Sequence, residues 1–128
     1  MIGYFPKPNP DELLYSICAR FSARMQYPTI EAVHQDLFGS KYLKAVVELP
    51  SNLDYFINAL PSGHSYSIDK LIDNHTQLPF YRPFLSPEQL NVLLGEMRCR
   101  TKGALLTRVG NPSTYMALRR LRFCTACV

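Results

Sequence analysis

The 128-residue sequence lacks most of the signals that mark a catalyst or a membrane protein. No stretch approaches the roughly 18 apolar residues that cross a bilayer. The opening, MIGYFPKPNPDE, has neither the charged nor the long apolar region of a signal peptide. A soluble, cytoplasmic protein with no membrane partner is the expectation. There is no glycine-rich phosphate loop, no H-E-x-x-H and no G-x-S-x-G. His34, His64 and His75 are scattered, with no cysteine or carboxylate at a telling spacing, so catalysis by this chain is not expected. Internal repeats and low-complexity linkers are also missing, and only YLKAVVEL resembles a strand. Cysteine is sparse and irregularly placed: Cys18, Cys99, and the pair Cys124 and Cys127. Without an export signal this is no disulfide scaffold, and reduced thiols are expected. Cys18 falls in an apolar helical stripe, where a thiol behaves as core.

Acidic residues are absent from the last quarter. Residues 1–96 hold 7 basic and 10 acidic side chains, a net of −3. Residues 97–128 hold Arg98, Arg100, Lys102, Arg108, Arg119, Arg120 and Arg122 and no acid, a net of +7. Such asymmetry points to a polyanion for the C-terminal part, or else to a solvated basic face or an acidic protein partner.

What is abundant is the helix start signal followed by an apolar stripe. In NPDELLYSICARFSARM, Asn9 takes an N-cap position, Pro10 the first helical one and Glu12 the capping-box position. Leu13, Ile17 and Phe21 then share a face, which predicts a helix over 10–25. PTIEAVHQDLFG predicts a second, with Thr29 as cap, Ile30, Val33 and Leu37 as stripe and Gly39 as stop. In PSNLDYFINALP, Ser51 is the cap and Leu53, Phe56, Ile57 and Leu60 the stripe. A helix from Ser67 to about His75 follows. Ser86, Pro87 and Gln89 then open another, with Leu90, Leu93, Leu94 and Met97 behind them. Short helices at 104–109 and 113–121 flank the turn at Asn111-Pro112-Ser113. The expected fold class is all-α: a compact bundle of six to seven short helices with proline-rich extended connections.

Two further stretches have a partner-docking character. Tyr4 and Phe5 precede Pro6, Pro8 and Pro10 in an extended aromatic arm, which staples either onto its own domain or onto another protein. DNHTQLPFYRPFLSP sets Phe80, Tyr81 and Phe84 around Pro79 and Pro83. It is expected to run extended, its rings either plugging the core or forming a docking ridge.

At the C-terminus, helix 104–109, the turn and helix 113–121 have helix-turn-helix lengths. The second helix would present Ser113, Thr114 and Tyr115 to bases and Arg119, Arg120 and Arg122 to phosphates. Four to seven cations on phosphate give a salt slope of roughly −3 to −6. Cys124 and Cys127 admit three readings. A redox pair needs a following helix N-terminus, and only Val128 follows. A zinc knuckle suits two sulfurs separated by two residues, though zinc takes four ligands. Two unmetallated surface thiols is the third.

Taken in order, FPKPNPDELLYSICARF, LFGSK, ELPSNLDYFINALP, LIDNHTQLPFYRPFLSPEQ and RFCTACV resemble the N-terminal domain of the TniQ/TnsD family, the target-selection proteins of bacterial heteromeric transposons, with the TnsD-like members nearest. The combination of PDELLYS with NHT and the following proline-framed aromatics carries the resemblance, which covers nearly the whole chain. It implies a helical domain over residues 1–122 and, at 123–128, the start of a truncated zinc-binding module. Cys124 and Cys127 would be zinc ligands of a longer protein, completed by residues beyond this fragment; Thr125 stands where the family usually has proline. The implied function is target-site selection: an adaptor, not an enzyme, linking double-stranded DNA to an AAA+ ATPase transposition regulator. In some relatives it links instead to a CRISPR effector complex. Residues 1–96, with Tyr4, Phe5, Pro6, Pro8 and Tyr15, would dock the ATPase. Arg98, Arg100, Lys102, Arg108, Ser113, Arg119, Arg120 and Arg122 would contact DNA, in the cytoplasm at the nucleoid. The alternative is an autonomous helix-turn-helix DNA-binding regulator.

Overall fold

The computed structural model describes residues 1–42, 49–101, 105 and 126. Among them are six α-helices, one 3-10 turn and no strand: α1 (Leu14–Met25), α2 (Ile30–Phe38), α3 (Leu53–Ala59), α4 (Ile68–His75), α5 (Leu78–Tyr81), the 3-10 turn at Arg82–Phe84, and α6 (Pro87–Arg98). The all-α expectation holds for these residues. None of these helices is long and apolar enough to cross a membrane. Residues 43–48 of the strand-like YLKAVVEL, the expected helix at 113–121, all but Leu105 of that at 104–109, and the cysteine pair lie outside the described residues.

Local chemistry explains most of the boundaries. Thr29 Oγ1 accepts the Ala32 N–H at the start of α2, and Gly39 ends it at φ +69, a left-handed position that glycine takes without strain. Ser67 caps α4 through the Lys70 N–H. The Ser86–Gln89 capping box is complete in both directions and opens α6.

Four expectations need correction. The first helix begins at Leu14 rather than residue 10, because Asp11 adopts φ +57 and turns the chain. Glu12 does accept the Asn9 N–H at 2.9 Å, but that half-box closes a turn before the helix. Ser51 does not cap α3; Asn52 takes the N-cap position with φ +60. Ile30 lies on the solvent side, 54% exposed, while His34 and Phe38 join Val33 and Leu37 inside. The segment at 78–84 is helical rather than extended. Each of its prolines occupies a first-turn position of its helical turn, where a missing N–H costs nothing. Its rings divide: Phe80 and Phe84 stand exposed, Tyr81 is partly buried against the core, and Leu78 goes fully inward.

α3 lies at the centre, packed against α2, α4 and α6. One apolar cluster joins all six helices: Ile17, Phe21, Leu37, Phe38, Leu53, Phe56, Leu71, Leu78, Leu93 and Met97 are almost wholly buried, and Phe5 and Leu105 reach it from outside the helices. Phe56 stacks on Phe38 at 5.6 Å and meets Phe5 edge-on at 5.3 Å. Asn52 ties three elements together. Its N–H donates to the Cys99 carbonyl at the end of α6 (2.9 Å), and its Nδ2 donates to the Phe38 carbonyl at the end of α2 (2.7 Å).

Candidate functional site

The N-terminal arm is built into the body of the domain. The Ile2 N–H donates to the Ala59 carbonyl at 2.8 Å. Phe5 then enters the core against Phe21, Phe56 and Tyr66. Tyr66 donates its hydroxyl proton to the Pro6 carbonyl at 2.7 Å, and its burial pushes the phenol well above its ordinary titration range. From Tyr4 to Glu12 the arm follows α1 antiparallel, along the stripe Ser16–Arg20–Arg24, whose spacing of four puts the three on one face. Arg24 lies over the Tyr4 ring at 5.1 Å and Arg20 Nη2 donates to the Lys7 carbonyl at 2.8 Å. Ser16 Oγ donates to Glu12 at 2.9 Å.

Glu12 is the electrostatic knot. Arg20 grips it with two bonds, at 2.8 and 2.6 Å, and the Asn9 N–H and the Ser16 hydroxyl complete its shell. The Arg20 bonds chiefly, with those two donors, hold its carboxyl down from the ordinary 4.5 to about 2 against the opposing effect of burial. A carboxylate with a depressed native value stabilises the fold above its unfolded pKa and loses that effect as pH falls toward the native one. The expected result is a stability loss between about pH 4.5 and 2 in the native protein that Glu12→Gln flattens. Arg20 is 41% exposed, so solvent screening holds the difference at pH 7 to about 0.2–1 kcal/mol. Denaturant midpoints of the two proteins at pH 7 and pH 3 measure it, and equal pH dependence would remove Glu12 from the account.

The backbone of Glu12 is held as well. Its carbonyl lies 2.6 Å from His75 Nδ1; a carbonyl only accepts, so His75 carries a proton on Nδ1. The next residue, Thr76, is buried. It donates its hydroxyl proton to the Ile72 carbonyl at 2.6 Å and accepts the Leu78 N–H at 3.2 Å, joining α4 to α5. The PDELLYS and NHT motifs thus meet in space, and their contact anchors the arm.

Of the residues expected to dock a partner, Tyr4 and Tyr15 are exposed, 38% and 40%. Pro8 is half-buried, and Phe5 and Pro6 are buried. A partner meeting this surface therefore encounters the tyrosines, not the Phe5 ring. A second exposed aromatic feature is the Phe80–Phe84 pair, at 71% and 79%. Beside the arm, a cavity of about 280 Å³ is lined by Phe5, Lys7, Pro61, His64 and Tyr66, among others.

Of the residues expected to touch DNA, Arg98 and Arg100 are described. Arg98 pairs with Asp54 at 3.3 Å on the surface, and Arg100 Nη2 donates to Ser40 Oγ at 3.4 Å. Lys102, Arg108, Ser113, Arg119, Arg120 and Arg122 lie outside the described residues, as do the expected zinc ligands Cys124 and Cys127. Cys18 is core as expected; its burial pushes the thiol up to about 12 and leaves it unreactive. Among the described residues no three His, Cys, Asp or Glu side chains gather at metal-binding distance.

Asn52, Tyr66 and the Ser40–Tyr42 turn escaped sequence reasoning. Tyr66 and Ser40 act across 60 residues, which no periodicity reveals. Only Asn52 had a local signal: asparagine is the non-glycine residue most at ease in the left-handed region.

The TniQ family model matches residues 3–128. Among curated proteins, the "Transposon Tn7 transposition protein TnsD" of Escherichia coli is 29% identical over 125 residues. The alignment covers 97% of this chain, and the chain spans about a quarter of that relative's length (25%).

Proposed function

This chain belongs to the TniQ family, and from that membership we propose that it is the docking domain of a transposon target-selection adaptor, acting without catalysis in the bacterial cytoplasm at the nucleoid. It links double-stranded target DNA to an AAA+ ATPase transposition regulator. In this reading residues 1–96 receive the ATPase, and the basic residues from Arg98 onward contact DNA. In this reading Cys124 and Cys127 are zinc ligands.

The observation that carries the docking role is the arm. Phe5, Tyr66, Arg20 and His75 hold it rigidly against the body, yet Tyr4 on the arm and Tyr15 on α1 remain exposed. A rigid segment presenting aromatic side chains loses little conformational entropy on binding, and exposed tyrosines are frequent anchors of interfaces.

Pull-down of the cognate ATPase by the tagged chain tests this. Tyr4→Ala with Tyr15→Ala is expected to reduce retained ATPase at least tenfold, while Phe80→Ala with Phe84→Ala leaves it unchanged. Loss only in the phenylalanine pair moves the docking surface to the α5 ridge and refutes the arm. No capture by the wild-type chain refutes the docking role.

A further inference from the structure

The end of α2 and the end of α6 are far apart in sequence but adjacent in space. The turn after α2 is Gly39-Ser40-Lys41-Tyr42. Ser40 is buried and its hydroxyl oxygen accepts the Tyr42 N–H at 3.3 Å, which fixes the turn. The same oxygen accepts from Arg100 Nη2 at 3.4 Å. Asn52 pins both flanks through the Phe38 and Cys99 carbonyls. Lys41 and Tyr42 are thereby carried outward beside Arg100, with Lys41 Nζ over the Tyr42 ring at 5.1 Å. Tyr42 is 77% exposed. Arg98, in the last turn of α6, is paired with Asp54 at 3.3 Å.

We propose that the Lys41-Tyr42 turn and Arg100 form a sequence-independent contact for the phosphate backbone of duplex DNA. Two observations select DNA over an acidic protein. The patch holds the first two cations of the basic quarter, Arg98 and Arg100: from Met97 to Val128 there are 7 basic residues and no acid. Its composition, cations with a tyrosine hydroxyl at the tip of a fixed turn, is that of phosphate-positioning contacts. Because the turn is clamped by Ser40 and Asn52, little ordering is required when the duplex arrives. The contact anchors the helical domain against the backbone.

This rests on the reading that the basic quarter contacts DNA, and the test separates the two. Fluorescence anisotropy with a labelled 30-base-pair duplex of arbitrary sequence is measured on the 128-residue chain from 50 to 200 mM salt. Lys41→Ala is expected to weaken binding three- to tenfold on every duplex tried and to reduce the salt slope by about 1. Lys41→Glu should weaken it further. Tyr42→Ala, which removes no charge, should weaken binding while leaving the slope unchanged. Lys41 and Tyr42 are solvent-facing, so all three variants should keep the wild-type thermal midpoint. If the wild-type chain binds and the Lys41 variants bind equally well with the same slope, the turn is not part of the interface, although the basic quarter is. If the wild-type chain binds no duplex at 50 mM salt, the turn and the underlying reading both fail. An effect of Lys41→Glu confined to binding of an acidic protein would also overturn it.

Discussion

Phe5→Ala is expected to lose about 3–5 kcal/mol of folding stability. The loss is out of proportion to the residue's place near a chain terminus, where truncations are usually tolerated. The ring is 9% exposed and contacts three other rings at centroid distances of 5.3 to 5.7 Å. Its removal leaves a cavity beside Phe56 at the centre of the fold. It also frees the arm, because Phe5 is the apolar anchor between the Ile2 and Pro6 backbone contacts. The neighbouring Tyr4→Ala should cost only about 0.5–1 kcal/mol, the worth of its exposed contact with Arg24. Urea midpoints for the two variants measure the contrast. Near-equal effects would mean that the arm is not built into the core. The same experiment guards the docking test above, since any loss of ATPase capture by a Phe5 variant reports unfolding before it reports an interface.

Asn52→Leu should cost about 2–4 kcal/mol through two separable effects. The position has φ +60, which costs a branched side chain roughly 1–2 kcal/mol. The Phe38 carbonyl also loses its 2.7 Å donor, a further 1–3 kcal/mol where water cannot replace it. Asn52→Gly separates them: it keeps the left-handed conformation and loses only the side-chain bond, so it should recover at least 1 kcal/mol relative to leucine. Asn52→Asp is isosteric but an ionised carboxylate cannot donate to a carbonyl, so it should resemble glycine or be worse. Denaturant unfolding of the three variants decides it; leucine and glycine equal to each other would show that backbone strain contributes nothing. A proportional loss of duplex binding in Asn52→Leu would also show that the Ser40–Tyr42 turn depends on this pin.

Reading the sequence succeeded where the physics is local. The caps at Thr29 and Ser86 and the stop at Gly39 each involve residues three or four apart, and all three stand where expected. It failed where two local rules competed. Asn9-Pro10-Asp11-Glu12 has the composition of a helix start, but Glu12 bonds more strongly to Arg20, eight residues on, and the helix starts after the turn. The Pro79–Pro83 segment was expected to extend because a proline disfavours helix in the residue before it. Each proline instead falls in the first turn of its own short helical piece, with Leu78 buried as the local anchor. The exposed aromatic ridge is a consequence that composition alone left ambiguous.

By itself the sequence determined the helical class, the caps of α2 and α6, the charge division at residue 97 and the family, because all of these are written in residue order and short spacing. Tertiary structure decided that the arm binds its own body through Phe5, that Glu12 and His75 close the two family motifs onto each other across 63 residues, and that Lys41 and Tyr42 stand beside Arg100. Those contacts form only when burial of one shared core brings α1, α2, α4 and α6 around α3. Chain separation of that length carries no periodic trace.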